Sequence, residues 1–428
     1  MTSKKKVFVF PAGTEIGLEI CRALKYNKHF ELWGGNSNSN NHAPYVYPNY
    51  YGKELPLVTD DYFIEEMQEV AQGFDYIYPA SDDAVLELAR NRAKFDCEII
   101  APEYGTCEIC RSKTTTYRTF ADILKVPEIK STDLNVLDEH DFPMYLKPDR
   151  GQGSENNYIA NNYTDLHFYT CQYESLLPIE YLPGDEYTID CFTDRHGELR
   201  FVGPRKRSRI KNGISVRSEK VTAPTPIFND IANIINEVLS LRGAWFFQMK
   251  EDAGGLLTLL EIGPRIAGTM GYYRMQGINF AALSLYDWMW QNIEIINNDL
   301  DMVSDRALQA KYKINYDYDT VYIDIDDTIL IGEKINPMVM AFIFQCRNEG
   351  KDIVFSTRGN PRNMIPSVLN DIPRWVTTIY IPSFGKKSDF IRKNKSIFID
   401  DSFAERKEVH DKLGIPVFDV DGVEALIK

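Results

Sequence analysis

Tyr145-Leu146-Lys147-Pro148-Asp149-Arg150-Gly151-Gln152-Gly153-Ser154 reads as an apolar strand that ends in a lysine and runs into a glycine-rich turn. A lysine leaving a strand beside such a turn can neutralise an anion while backbone N–H groups of the turn cradle its other oxygens. The lysine precedes the glycines, so the order is not that of a P-loop.

Downstream, Ile179-Glu180-Tyr181-Leu182-Pro183-Gly184-Asp185-Glu186-Tyr187 forms a strand, a turn and a second strand. It can offer backbone groups to an adenine edge and carboxylates to ribose hydroxyls; read alone, it is equally a surface β-turn at Pro183-Gly184. The stretch Arg205 to Arg217 carries Arg205, Lys206, Arg207, Arg209, Lys211 and Arg217 around Gly213, either a solvated loop or an anion site. Gln248 stands near the end of a strand over 244–249. Leu259-Leu260-Glu261-Ile262-Gly263-Pro264-Arg265 is a buried strand that delivers a carboxylate and then an arginine. A buried carboxylate needs a cation, and hard oxygen ligands suit Mg²⁺; a Glu261–Arg265 ion pair is the other way to satisfy it.

Upstream, strands at 7–10, 30–33, 76–78 and 98–101 alternate with helices at 18–24, 62–71 and 82–93, the pattern of a parallel sheet covered on both faces. The turn Pro11-Ala12-Gly13-Thr14-Glu15-Ile16-Gly17 lacks GxGxxG spacing and reads as a close strand–helix junction rather than a dinucleotide fingerprint. An amphipathic helix over 227–241 places Ile227, Ile231, Ile234, Ile235, Val238 and Leu239 on one stripe.

The 428 residues exceed one ordinary core and imply roughly two to four domains. A formal charge of -14 argues against nucleic acid or an anionic membrane surface as the main partner. No stretch approaches the roughly 18 apolar residues of a membrane helix, and the basic-then-apolar start is broken by Pro11, Gly13 and Glu15. Seven cysteines are mostly scattered; Cys107 and Cys110 form one CxxC without a second half and read as thiols at helical spacing, in keeping with a cytoplasmic protein.

Taken in order, these features resemble the ATP-grasp superfamily, in particular carbamoyl-phosphate synthase large chains and amino-acid ligases. The resemblance implies a Rossmann-like pre-ATP-grasp domain over 1–105 and an ATP-grasp domain over 106–300, with ATP and Mg²⁺ as cofactors. It implies that Lys113 (in Ser112-Lys113) and Lys147 contact ATP under the loop Gly151, Gly153 and Ser154. Glu180, Tyr181 and Leu182 would be the adenine hinge, Glu186 the ribose ligand and Arg205 a further ATP contact. Gln248 and Glu261 would hold Mg²⁺, and Arg265 would steady the transferred phosphoryl group. The family's usual ending is Glu-x-Asn-Pro-Arg; here Gly263 replaces the asparagine and removes a metal ligand.

A segment over 301–316 reads as a linker, and βα alternation restarts after it. Val321-Tyr322-Ile323-Asp324-Ile325-Asp326-Asp327-Thr328 ends a buried strand with carboxylates at i and i+2. One can attack phosphorus while the other manages a proton. Ser356-Thr357 closes a second strand, Lys386-Lys387 supplies amines, and Asp400-Asp401 closes a third. Parallel strands would gather these groups at their carboxyl ends. The set resembles the haloacid-dehalogenase (HAD) superfamily, implying a HAD-like Rossmannoid phosphatase domain over 317–428 without a large cap. Asp324 would be the nucleophile and Asp326 the general acid/base. Ser356, or else Thr357, would bind phosphate, and Lys387 or Lys386 would stabilise it. Asp324, Asp326, Asp400 and Asp401 would form the Mg²⁺ site.

The expected fold is therefore α/β and α+β, multidomain. The expected activity is an ATP-dependent carboxylate–amine ligase, acting through an acyl phosphate, fused to a Mg²⁺-dependent phosphomonoesterase. Its partners would be a small carboxylate and an amine, or a phosphorylated metabolite, with pairing of two copies a family expectation. Two other readings stay open at this point: a small-molecule kinase, and a nucleotide-binding regulatory or scaffold protein kept alive by Gly263.

Overall fold

The computed structural model describes the chain apart from residues 1–3, 39, 134, 152, 154, 174, 212, 222–225, 313, 333, 359–372, 374 and 393. It divides into two compact units, Met1–Gln309 and Ala310–Lys428.

The first unit opens with a parallel five-stranded sheet, order β3-β2-β1-β4-β5. Its strands are β1 (Lys5–Phe10), β2 (Phe30–Gly34), β3 (Asn49–Tyr50), β4 (Tyr76–Pro79) and β5 (Glu98–Ile99). The apolar run of β1 explains its central place. Val7 and Val9 enter one core cluster, Phe8 and Phe10 the other, so both faces are covered. Helices α1 (Glu15–Leu24), α2 (Phe63–Ala71) and α3 (Asp82–Arg90) connect these strands. Gly17 is required at the first junction, because a Cβ there would stand 2.6 Å from the carbonyl oxygen of Ala12. Helices α4 (Tyr104–Arg111) and α5 (Lys113–Phe120) follow. Cys107 and Cys110 both lie on α4 as free thiols, and burial pushes the Cys107 thiol up to about 12.

A three-stranded antiparallel sheet comes next: β6 (Met144–Pro148), β7 (Tyr158–Ala160) and β8 (Leu176–Glu180), with β6 central. The main sheet of the unit is antiparallel, order β13-β12-β9-β10-β11-β14. It comprises β9 (Glu186–Thr193), β10 (Leu199–Lys211), β11 (Ile214–Lys220), β12 (Gly243–Glu251), β13 (Leu257–Gly263) and β14 (Val303–Asp305). Strand β14 corrects the expectation of a bare linker over 301–316: its three residues pair with Arg217–Glu219 and close the edge of the sheet. The amphipathic helix runs over Pro226–Val238. It buries Phe228, Ile231, Ala232 and Ile235, leaving Ile227 and Val238 exposed, so its buried stripe is rotated from the aliphatic one seen in the sequence.

The second unit is a parallel five-stranded sheet, order β19-β18-β15-β20-β21. Its strands are β15 (Thr320–Ile323), β18 (Asp352–Thr357), β19 (Thr377–Tyr380), β20 (Ser396–Ile399) and β21 (Val417–Phe418). A hairpin of β16 (Leu330–Ile331) and β17 (Lys334–Ile335), then the helix Pro337–Asn348, fills the connection from β15 to β18. The fully buried β15 and β20 are neighbours, which brings Asp324 and Asp400, one residue past each strand, to the same end of the sheet.

Candidate functional site

In the first unit a cleft gathers residues from α5, β6, β8, β9, β10, β12 and β13 and the loops beside them. Lys113, Lys147, Gly151, Gly153, Glu180, Tyr181, Leu182, Glu186, Gln248 and Glu261 all line it, together with Tyr145, Asn157, Ile179, Arg207, Gly213, Lys250 and Leu260. Ser154 and Gln152 lie outside the described residues.

Lys147, near the end of β6, is buried and donates to the Tyr117 hydroxyl at 2.7 Å; Tyr117 in turn donates to the Leu260 carbonyl at 2.9 Å. Burial pulls its ammonium down to about 7, with repulsion from Lys113 adding to the shift and Glu261 opposing it. Lys113, the first residue of α5, donates to the carbonyls of Asp149 and Gly151, both at 3.2 Å. Burial lowers its pKa too. The carboxylate of Asp149 is spent on the start of α5, accepting from Ser112 Oγ at 2.8 Å and Thr114 N at 2.7 Å. The buried Lys147 and the half-buried Lys113 thus share a cleft in which, among the described residues, no carboxylate is hydrogen-bonded to either ammonium. A polyanion bound there would raise both pKa values.

Residues 172–303, from the end of α6 (Tyr163–Gln172) to the first residue of β14, match the family described as "ATP-grasp in the biosynthetic pathway with Ter operon". A stretch of 200 residues is 24% identical to the D-alanine–D-alanine ligase of Petrotoga mobilis, covering 43% of this chain and 66% of that protein. Among solved structures, the biotin carboxylase domain of Hydrogenobacter thermophilus 2-oxoglutarate carboxylase, complexed with MgADP, ADP and bicarbonate, superposes with a TM-score of 0.57 at 16% identity, over 70% of this chain and 73% of that one. N5-carboxyaminoimidazole synthetase from Staphylococcus aureus complexed with ADP gives 0.56 at 16% identity, over 69% and 79%. The first unit has the ATP-grasp fold.

Three predicted residues of the ATP-grasp unit are placed differently from expectation. Arg205 does not line the cleft. It is fully buried, donates from Nε to Asp190 at 2.7 Å and from Nη1 to Ser218 at 3.2 Å, and serves as the counter-ion of a carboxylate inside the sheet. Arg207, two residues along the same strand, reaches the cleft instead. Its Nη1 pairs with Glu186 and donates to Gln248 Oε1 at 2.9 Å, and its Nη2 donates to the Gly213 carbonyl at 2.6 Å. Gln248 therefore faces a guanidinium rather than an open position. Arg265 pairs with neither Glu261 nor an open site: both its Nε and Nη2 donate to Asp82 of α3, at 2.6 and 2.7 Å. Burial opposes ionisation of Asp82, yet the Arg265 charge wins and holds its carboxyl below the ordinary range.

Gly263 has a packing reason. The Phe246 ring lies against it across the β12–β13 pair, and a Cβ at 263 would stand 2.3 Å from that ring. The Arg265 guanidinium lies 5.2 Å from the same ring. Among the described residues no hydrogen bond or ion pair engages the Glu261 carboxylate, which leaves it the free hard ligand of the cleft.

The family match ends at residue 303, ahead of the second unit. There Lys387 Nζ donates to Asp324 Oδ1 and to Asp400 Oδ2, each at 2.6 Å, with all three side chains buried. Burial raises the Asp324 carboxyl to about 7, helped by Asp400 and Asp326 and opposed by Lys387. Burial raises Asp400 as well. Burial works against the Lys387 ammonium, but the two aspartates hold its pKa above the ordinary value. Oxygens of Asp324, Asp400 and Asp401 lie within 4.8 Å of one another, a set that suits Mg²⁺. Asp326 stands outside that set and accepts from Thr357 Oγ1 at 3.0 Å. Ser356 is buried, with a hydroxyl that has no partner among the described residues. Thr328 Oγ1 accepts from Asp401 N at 3.1 Å, so the threonine of the motif pins the aspartate pair in place. Lys386, the other amine considered, directly precedes the short turn Lys387–Asp389.

Proposed function

We propose that the ATP-grasp unit binds ATP in its cleft and activates a small carboxylate as an acyl phosphate, which an amine then displaces. The observation that carries this is the pair of lysines lining one cleft with Glu261, Lys147 buried and Lys113 half-buried, both with pKa values lowered by burial. The 24% identical ligase and the ADP-bound structures of like fold support the same reading. Lys113 and Lys147 would neutralise the phosphates from the glycine-loop side. The segment from Glu180 to Leu182 would border the adenine, Glu186 the ribose. Mg²⁺, where bound, would join Glu261 to phosphate oxygens and spread the charge of the transferred group. Arg265, held by Asp82 through Nε and Nη2, does not line the cleft and is assigned no contact with the transferred group.

The second unit is proposed as a HAD-type Mg²⁺-dependent phosphomonoesterase. Asp324 would attack phosphorus as the P–O bond to the leaving group breaks and protonated Asp326 gives that oxygen its proton. The Asp326 carboxylate would then accept a proton from the water that attacks the aspartyl-phosphate and frees phosphate from Asp324. Lys387 shields the nucleophile from Asp400. The orphaned Ser356 hydroxyl is the donor that a phosphoryl oxygen would satisfy.

The decisive experiment supplies ATP, Mg²⁺ and pools of amino acids or sugar acids, and follows ADP release and mass changes. Adduct formation with stoichiometric ADP is expected. A phosphorylated product without adduct would make the unit a kinase. Nucleotide binding with no ADP release across all pools would sink both enzyme readings.

A further inference from the structure

We infer that the Arg207 guanidinium takes the place of a second divalent cation, so that the cleft holds its nucleotide with one metal ion. The inference rests on the ATP-grasp reading and goes beyond it, since that resemblance implies Mg²⁺ on Gln248 and Glu261, and Gln248 is occupied by Arg207.

Consider the oxygens open to a metal. Glu261 offers a carboxylate that nothing engages among the described residues. Gln248 lies opposite it in the β12–β13 pairing, but its Oε1 already accepts from Arg207 at 2.9 Å. The Glu186 carboxylate pairs with that same Arg207 nitrogen, and Lys250 stands 3.7 Å away. Position 263 offers no side chain, and the Phe246 ring fills the space one would need. Of the expected ligands, one is free, one is occupied and one is gone.

The occupant is itself a cation. Arg207 is nine-tenths buried, with a side chain 8% exposed, and is fixed at three points by Glu186, Gln248 and the Gly213 carbonyl. A guanidinium stays charged at any physiological pH and loses less hydration on burial than an ammonium. A divalent ion brought to the same amide oxygen would meet it at contact distance, where like charges repel by several kcal/mol even at an effective dielectric of about 20. A metal and this arginine therefore exclude one another at Gln248. The arginine is built in and pre-ordered, and an ion bound there would have to displace it.

The test counts metal on the full chain carrying Asp324→Asn and Asp400→Asn, which silence the acidic set of the second unit. Mn²⁺ is titrated with and without a non-hydrolysable ATP analogue, bound metal is read by electron paramagnetic resonance, and nucleotide affinity is measured in parallel by calorimetry. The expected result is one additional Mn²⁺ per bound nucleotide. In Arg207→Gln the analogue should bind roughly tenfold or more weakly, the size of a charge-assisted contact, and raising Mn²⁺ should recover part of the loss through the freed Gln248 oxygen. Two additional ions in the parent chain, or unchanged affinity in Arg207→Gln, overturns the inference while leaving the ATP-grasp reading intact. Absence of any nucleotide binding overturns that reading and this inference together.

Discussion

The two sites are electrostatic opposites. In the ATP-grasp cleft, burial pulls Lys113 and Lys147 below their ordinary pKa, and the carboxylates around them do not offset it. In the second unit, burial raises Asp324 and Asp400 above theirs, with neighbouring carboxylates adding to the shift and the single Lys387 not offsetting it. The proposed ligands are opposite in sign to match: a polyphosphate at the first site and Mg²⁺ at the second.

The largest test of this contrast is Asp324→Asn. It should lower hydrolysis of a generic phosphomonoester by at least about 10³-fold, as loss of a nucleophile does, with nucleotide affinity of the first unit unchanged by calorimetry. Surviving hydrolysis would remove Asp324 from the centre of the second site. Next in size, Lys387→Met leaves Asp324 and Asp400 facing each other without their cation. Breaking such a buried pair should cost about 3–5 kcal/mol of stability, read by denaturant melts in chelator, and added Mg²⁺ should recover much of it. A melt indifferent to Mg²⁺ would show that this site does not want a cation. Lys147→Ala should weaken binding of an ATP analogue by roughly 10–100-fold and leave phosphatase activity alone.

The smallest effect is in pH. Below about 7, Lys147 is protonated in both the folded and unfolded chain; above that and up to the ordinary lysine value, only the unfolded chain holds the proton. Stability from this group therefore rises with pH across that window. Nucleotide binding runs the other way, because the complex needs the charged ammonium. Affinity should fall by up to about tenfold per pH unit above 7, with proton uptake visible as a buffer-dependent binding enthalpy. A flat profile would mean that Lys147 keeps its charge without a ligand.

Much of this is legible in the amino-acid sequence. Lys147 and Glu261 sit at the ends of apolar strands, and the Asp324, Lys387 and Asp400 set announces itself by order and spacing. What could not be read depends on pairings across long stretches of chain. Arg205 and Arg207 share a strand and a parity, so alternation cannot say which one meets the buried Asp190 and which the cleft. The hold of Asp82 on Arg265 spans 183 residues. The ring that explains Gly263 belongs to Phe246, visible only in the antiparallel register of β12 and β13. Strand β14 is three residues, Val303-Ser304-Asp305, with no apolar period to mark it.

That short strand decides where the chain can be cut. A fragment stopped at residue 300 would strip the partner from Arg217–Glu219, and with it the Asp305 carboxylate that pairs with Arg209 and Arg217. The bared ladder would be a template for a neighbouring copy, and such a fragment is expected to self-associate as its concentration rises. One carried through Gln309, where the compact unit ends, keeps its own border sealed.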